Sequence, residues 1–144
     1  MSNNKSSKKH AYILFFTESV TEIITEIMNM GPKAEQIILE SGEDYKIRDD
    51  SDTTFITRYL CLCDINIVLS RFSLDTLNGS GDTFDKFEEY YDKFTSLNPS
   101  DVLKISKQDN RIYKMVDPLI YNDIFNYYQQ KLINLEKSFR EGEE

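Results

Sequence analysis

The 144-residue chain has one histidine, two cysteines and no tryptophan, and each scarcity removes a class of chemistry. The single imidazole, His10, stands beside a polar, basic N-terminal stretch with nothing to hold it against a nucleophile. Ser-His-Asp and Cys-His catalysis therefore lack an anchored base. One histidine also cannot supply the Glu-x-x-His motif from two helices that di-iron bundles need, nor the His-Glu-x-x-His of zinc proteases. Cys61 and Cys63 are too few for a disulfide framework and too close in sequence for an unstrained bond. On a helix they point about 200° apart. On a strand they share a face but find no third ligand for zinc. Both are expected to be reduced, buried thiols. Glycine is sparse, and Gly79-Ser80-Gly81 lacks the following lysine and preceding strand of a phosphate-binding loop.

Positive charge is also scarce. Seventeen Lys and Arg face 25 Asp and Glu, for a formal net charge of −8. That balance argues against general affinity for nucleic-acid phosphates or an anionic membrane. Long apolar runs are missing too. Residues 12–16 are too short for a signal-peptide core, and 59–72, which carry Asp64 and Arg71, are too short and too charged to span a bilayer. The expectation is a soluble cytoplasmic protein with no cofactor, no metal and no direct nucleic-acid or membrane partner.

What is present is core material. Hydrophobic residues make up 40% of the chain, with nine Phe and nine Tyr. A single domain of this length buries roughly 68–70% of its unfolded surface and needs no disulfide or metal. The pattern predicts an all-α single-domain bundle of five or six helices over residues 10–140. A disordered basic tail (1–9) precedes it and a frayed acidic tail (141–144) follows.

Ile13, Phe16, Val20, Ile23, Ile24 and Ile27 recur at helical spacing over 11–30, and Gly31-Pro32 is expected to stop that helix. A short helix (33–40) and a charged loop (43–52) follow. A third helix (53–77), capped by Asp52 or Thr53, carries Ile56, Tyr59, Leu60, Cys63, Ile67 and Phe72 and reads as the most buried one. A strand at 62–69 is the alternative. A fourth helix (83–97), capped by Asp82 or Thr83, places Phe84, Phe87, Tyr91 and Phe94 on one face. Residues 102–116 fit a helix, with a β-hairpin around Gln108-Asp109-Asn110 as the alternative. Asp117-Pro118 reads as the N-cap and first residue of a last helix reaching about Arg140.

Several constellations invite a functional reading. Asn78, Ser80, Asp82 and Glu89 resemble a calcium loop in outline, but Thr83 stands where the tight turn wants glycine. The acidic pairs Glu40-x-x-Glu43 and Glu89-x-x-Asp92 resemble the Mg²⁺-holding pairs of all-α nucleoside triphosphate pyrophosphohydrolases. The resemblance covers these four residues only and implies a Mg²⁺-dependent hydrolase. Glu18, Glu22 and Glu26 form an i, i+4, i+8 stripe, which suits either solvent or a basic partner. Tyr90 and Tyr127 sit beside the apolar stripes of their helices, and exposed tyrosine is enriched at interfaces.

The leading expectation is therefore a non-catalytic protein–protein interaction module: an adaptor, regulator or assembly subunit, with a homo-oligomer fitting the same features. Its candidate surface is Glu18, Glu22, Glu26, Tyr90 and Tyr127. The alternatives are an acidic nucleic-acid mimic, displaying Asp85, Glu88, Glu89 and Asp92, and the Mg²⁺-dependent hydrolase.

Overall fold

A computed structural model describes residues 4–78 and 83–142. Their regular structure is α1 (Asn4–Leu14), a π-helical segment (Phe15–Val20), α2 (Thr21–Ser41), α3 (Asp50–Asn78), α4 (Thr83–Ser96), α5 (Pro99–Asp109), a 3₁₀ turn (Arg111–Met115) and α6 (Pro118–Gly142). The chain is all-α, and no strand occurs among the described residues, so neither 62–69 nor 102–116 pairs as one. The capping position at 82 and the calcium-loop positions Ser80 and Asp82 lie outside the described residues.

The first three elements run on without a break, because Leu14, Val20 and Thr21 all keep right-handed helical dihedrals. They form one rod of roughly 55 Å. The π segment sets its register. Thr17 Oγ1 donates to the carbonyls of Ile13 and Leu14, both at 3.1 Å, inside this wide turn. A π turn takes up an extra residue, so the inward face shifts across it. Ala11 and Tyr12 are buried before it, Phe15, Ser19 and Val20 within it, and Ile23 after it. Strict 3.6-residue spacing misplaces Ile13 and Ile24, which are each 41% exposed.

Two sequence expectations fail along this rod. Gly31-Pro32 does not end a helix; it lies inside α2. A Cβ on Gly31 would stand 4.0 Å from Tyr59 Oη, which marks the close approach of α2 to α3. Pro32 removes the N–H that Met28's carbonyl would accept, but both residues are exposed, so water reaches that carbonyl. Burial of Ala34 and Ile37 carries the helix on to Ser41, merging the separate helix expected over 33–40. The disordered tail is the second correction. From Asn4 onward it is the start of α1, which packs on α6 and α4. Ser7 is fully buried and its Oγ donates to Glu136 Oε2 at 2.6 Å. Lys8 Nζ pairs with Asp92 Oδ1 at 3.3 Å and lies 5.5 Å over the Tyr91 ring. Polar contacts dock this segment, and hydrophobic periodicity is blind to them. At the other end, Glu141 and Gly142 complete α6.

The remaining boundaries are set by side-chain caps. Asp49, rather than Asp52 or Thr53, opens α3: its Oδ1 accepts from Ser51 N and Oγ, both at 2.9 Å. Asn98 Oδ1 accepts from Ser100 N at 2.9 Å, with Pro99 as the first residue of α5. Asn110 Oδ1 takes Ile112 N at 3.0 Å and starts the 3₁₀ turn, so the turn-prone triplet ends a helix instead of joining strands. Asp117 Oδ1 accepts from Leu119 N at 2.9 Å, as an N-cap ahead of Pro118 should.

α3 packs against α2, α4, α6 and the 3₁₀ turn. Its buried face is Ile56, Leu60, Cys61, Leu62, Ile65 and Leu69. An aromatic column crosses the bundle through Phe15–Phe94 (5.7 Å), Phe94–Phe125 (5.8 Å) and Phe125–Tyr121 (6.2 Å between centroids). Buried Gln129 closes α4 from outside: its Nε2 donates to the carbonyls of Phe94 and Leu97, each at 2.8 Å. The Phe94 carbonyl otherwise takes a long 3.4 Å bond from Leu97 N, and the Leu97 carbonyl lies past the helix end.

Candidate functional site

The structure brings three of the five surface candidates together. Glu22 and Glu26 lie one turn apart on α2, and Tyr127 faces them from α6 across a groove of about 280 Å³. Arg58 from α3 and Asp123, Ile124, Tyr128 and Lys131 from α6 complete the lining. Spacing explains the α6 contribution, since 123/124, 127/128 and 131 are successive turns of one face. Tyr128 is buried and forms the floor; Tyr127 stands on the lip, 60% exposed, edge-on to Tyr128 at 5.1 Å.

Charge in this groove is largely paired. Arg58 Nη2 donates to Glu26 Oε1 and Oε2 at 3.0 and 3.1 Å. Lys131 Nζ lies 3.6 Å from Glu22 Oε2 and 6.0 Å from the Tyr127 ring centroid. Asp123 has no cation within ion-pair distance among the described residues, leaving three carboxylates against two cations. Burial, then the Glu26 carboxylate, pushes the Tyr128 hydroxyl up to about 12. It stays protonated at neutral pH and is no general base.

The other two candidates go elsewhere. Glu18 is exposed in the π segment and does not line the groove. Tyr90 is only 1% exposed, which corrects its reading as surface. It completes an i, i+3, i+4, i+7 stripe with Phe87, Tyr91 and Phe94, and it stacks on Phe72 at 4.8 Å. Three carboxylates of α4 are tied down as well: Glu89 pairs with Lys93 at 2.9 Å, and Asp92 and Glu88 with Lys8 at 3.3 and 3.9 Å; the Asp85 side chain lies outside those described. Glu43 lies in the turn after α2. No cluster of three or more His, Cys, Asp or Glu among the described residues is arranged to hold a metal ion.

A second polar constellation lies in the core. Asp64, 6% exposed, accepts hydrogen bonds from Tyr121 Oη at 2.6 Å, Tyr113 Oη at 2.7 Å and Ser106 Oγ at 2.9 Å. Burial raises its carboxyl above the ordinary range, and the three hydroxyls pull it back. Both cysteines stand nearby. Burial, then the Asp64 charge, raises both thiols; Cys61 Sγ donates to the Tyr121 carbonyl at 3.5 Å. This hub joins α3, α5, the 3₁₀ turn and α6. None of its residues lines the grooves described for this chain.

A scan against protein-family models, a search of curated proteins and a search of solved structures each found no match to this chain. Function is therefore argued from the surface itself. The sequence pointed to the groove through the Glu stripe and Tyr127. It missed Arg58 on α3, and also Asp123 and Lys131, whose only signal is that α6 repeats charge on the face beside Ile124 and Tyr128. The Asp64 hub had a legible signal that was not used: a lone carboxylate inside an apolar helix needs buried donors, and nine tyrosines supply candidates.

Proposed function

We propose that this protein is a non-catalytic interaction module that docks a protein partner on the groove between α2, α3 and α6. The observation that carries the reading is Tyr127, a large aromatic held 60% exposed above a floor of Ile124 and Tyr128. Rigid, half-supported tyrosines are what binding hot spots are made of. The surrounding ion pairs leave one carboxylate, Asp123, uncompensated, so a partner contributing a cation fits best. The partner is another protein or a second copy of this chain, and the proposed setting is the cytoplasm. Among the described residues no helix is long and apolar enough to cross a membrane.

The test is quantitative co-purification with wild type and Tyr127→Ala. A stoichiometric partner should bind the variant at least about thirtyfold more weakly, the loss typical of a hot spot. Its thermal midpoint should not change, since the ring is mostly in water. Sedimentation of the purified chain separates a second copy from a different protein. A partner retained in full by Tyr127→Ala would remove this groove as the interface.

A further inference from the structure

From Val20 onward the inward face of the first rod follows an unbroken alternation of three and four residues. Val20, Ile23, Ile27, Met30, Ala34 and Ile37 keep it, and all are buried or half-buried. Carried back toward the N-terminus, the same alternation reaches Phe16 and Ile13. The π segment diverts it. Phe15 and Tyr12, each one residue earlier, hold the fully buried places, while Phe16 is half-buried and Ile13 is left 41% exposed. One sequence thus carries two registers for α1: the observed one, and the one that a continuous α-helix would give.

The observed register leaves two hydroxyls unserved. Tyr12 Oη and Ser19 Oγ are buried with no hydrogen-bond partner among the described residues. Buried polar groups without partners are costly and rare. In a continuous α-helix the apolar Ile13 takes the place of the Tyr12 phenol, and Phe16 takes that of Phe15. Ser19 can then donate to the carbonyl four residues back, as helical serines do. Other contacts hold the observed register. Thr17 Oγ1 serves the carbonyls of Ile13 and Leu14 in the wide turn. Ser7 bonds Glu136, and Lys8 bonds Asp92 and lies 3.9 Å from Glu88. Ala11 is fully buried, and in the other register Tyr12 would have to enter its place. Lys8 would then move to the place of Ser7, beside Glu136. Each register satisfies groups that the other leaves wanting.

We infer that the π segment is a register switch: it can close into regular α-helix, turning α1 by about 100° and sliding it about 1.5 Å along α4 and α6 while α2 stays in place. In the switched state Ile13 and Phe16 face the core, Leu14 comes to the exposed place of Ile13, and His10 leaves the Phe139 ring, which it now meets at 5.6 Å. The surface that α1 presents changes without unfolding of the bundle. The inference does not depend on the Tyr127 groove, which α1 does not line.

Two variants of the full chain push the switch in opposite directions. Deletion of Thr17 takes out the extra residue, so the helix runs straight with Tyr12 and Phe15 still inward. Tyr12→Ala empties the Tyr12 place in the observed register, whereas in the switched one the alanine fits the place of Ala11 and Ile13 fills the gap. Helix register shifts occur in microseconds to milliseconds, so ¹⁵N relaxation dispersion reads them. The imidazole of His10, the only one in the chain, gives an isolated signal whose nuclear Overhauser effect to Phe139 reports the register. The expected result is exchange over residues 7–20 in the wild type, its loss on deletion of Thr17, and loss of the His10–Phe139 contact in Tyr12→Ala. Exchange that persists after the deletion, or a folded Tyr12→Ala that keeps the contact, would overturn the inference. If Tyr12→Ala does not fold, the absence of exchange in the wild type overturns it.

Discussion

Replacing Tyr121 by phenylalanine tests whether Asp64 is a charged hub or merely a polar one. The substitution deletes one oxygen from a fully buried ring, so packing is retained and water does not enter. What is lost is the 2.6 Å bond to Asp64 Oδ2. A hydrogen bond to an ionised partner contributes about 1.5–3 kcal/mol, and a neutral one about 0.5–1.5 kcal/mol. The cost of the substitution should therefore depend on the state of Asp64. Its folded pKa is raised by burial, while the Tyr121 hydroxyl lowers it. A raised carboxyl contributes stability that is fully present below the unfolded pKa, ~3.9, and is lost as pH rises through the folded pKa. Removing Tyr121's hydroxyl raises the folded pKa further, so this loss becomes larger in the variant. Urea unfolding followed by far-UV circular dichroism should show Tyr121→Phe destabilised by about 2 kcal/mol near neutral pH. The gap should narrow by about 1 kcal/mol as Asp64 protonates in both proteins. Asp64→Asn should abolish the pH dependence of the gap. A gap that stays constant from neutral pH down to the ordinary aspartate range would refute the reasoning, because the hydroxyl would then not be sensing charge.

Three further outcomes are expected. Pro32→Ala restores the missing N–H inside α2 and should stabilise the protein by about 1–3 kcal/mol in urea unfolding; no gain would mean that the helix is already relaxed around the proline. Ser7→Ala deprives buried Glu136 of a 2.6 Å donor and should cost about 1.5–3 kcal/mol, and removing residues 1–9 should cost more, whereas a disordered tail would be lost without effect on the melting midpoint. Cys61, fully buried with its thiol pushed up by burial and the Asp64 charge, should resist alkylation until urea unfolds the chain; labelling of the native protein at the rate of a free thiol would contradict that placement.

Much of the helix pattern was legible because apolar periodicity and punctuation agreed with tertiary packing. Asp117-Pro118 is an unambiguous helix start, and Phe87, Tyr91 and Phe94 show a face that packing then uses. Three features escaped for separate physical reasons. Gly31-Pro32 has the local chemistry of a stop, but burial on its C-terminal side outweighs that preference. The π segment breaks the 3.6-residue count, so residues on the two sides of Phe15–Val20 cannot be projected on one wheel. The N-terminal segment docks through Ser7 and Lys8, which look the same in sequence as a solvated tail. Of the candidate surface, Glu22, Glu26 and Tyr127 were found because helical spacing alone aligns them. Tyr90 was misread because it lies three residues after Phe87 and four before Phe94, which makes it part of the stripe it seemed to flank.

The docking of α1 onto α6 has a consequence for how the chain is made. Ser7 meets Glu136 across 129 positions of sequence. During synthesis the first helix leaves the ribosome before α4, whose Phe87, Tyr90 and Phe94 rings cover Tyr12 and Phe15, and long before α6. The α2–α3 pair needs only a short turn to close and can assemble early, being joined by local contacts. The rod that links α1 to α2 then extends from a formed hairpin as a half-built wall. The bundle is thus completed last by α6, which closes over Ser7 after α4 has covered Tyr12 and Phe15, and the interval before it leaves the α6-facing surface open to aggregation or to a chaperone.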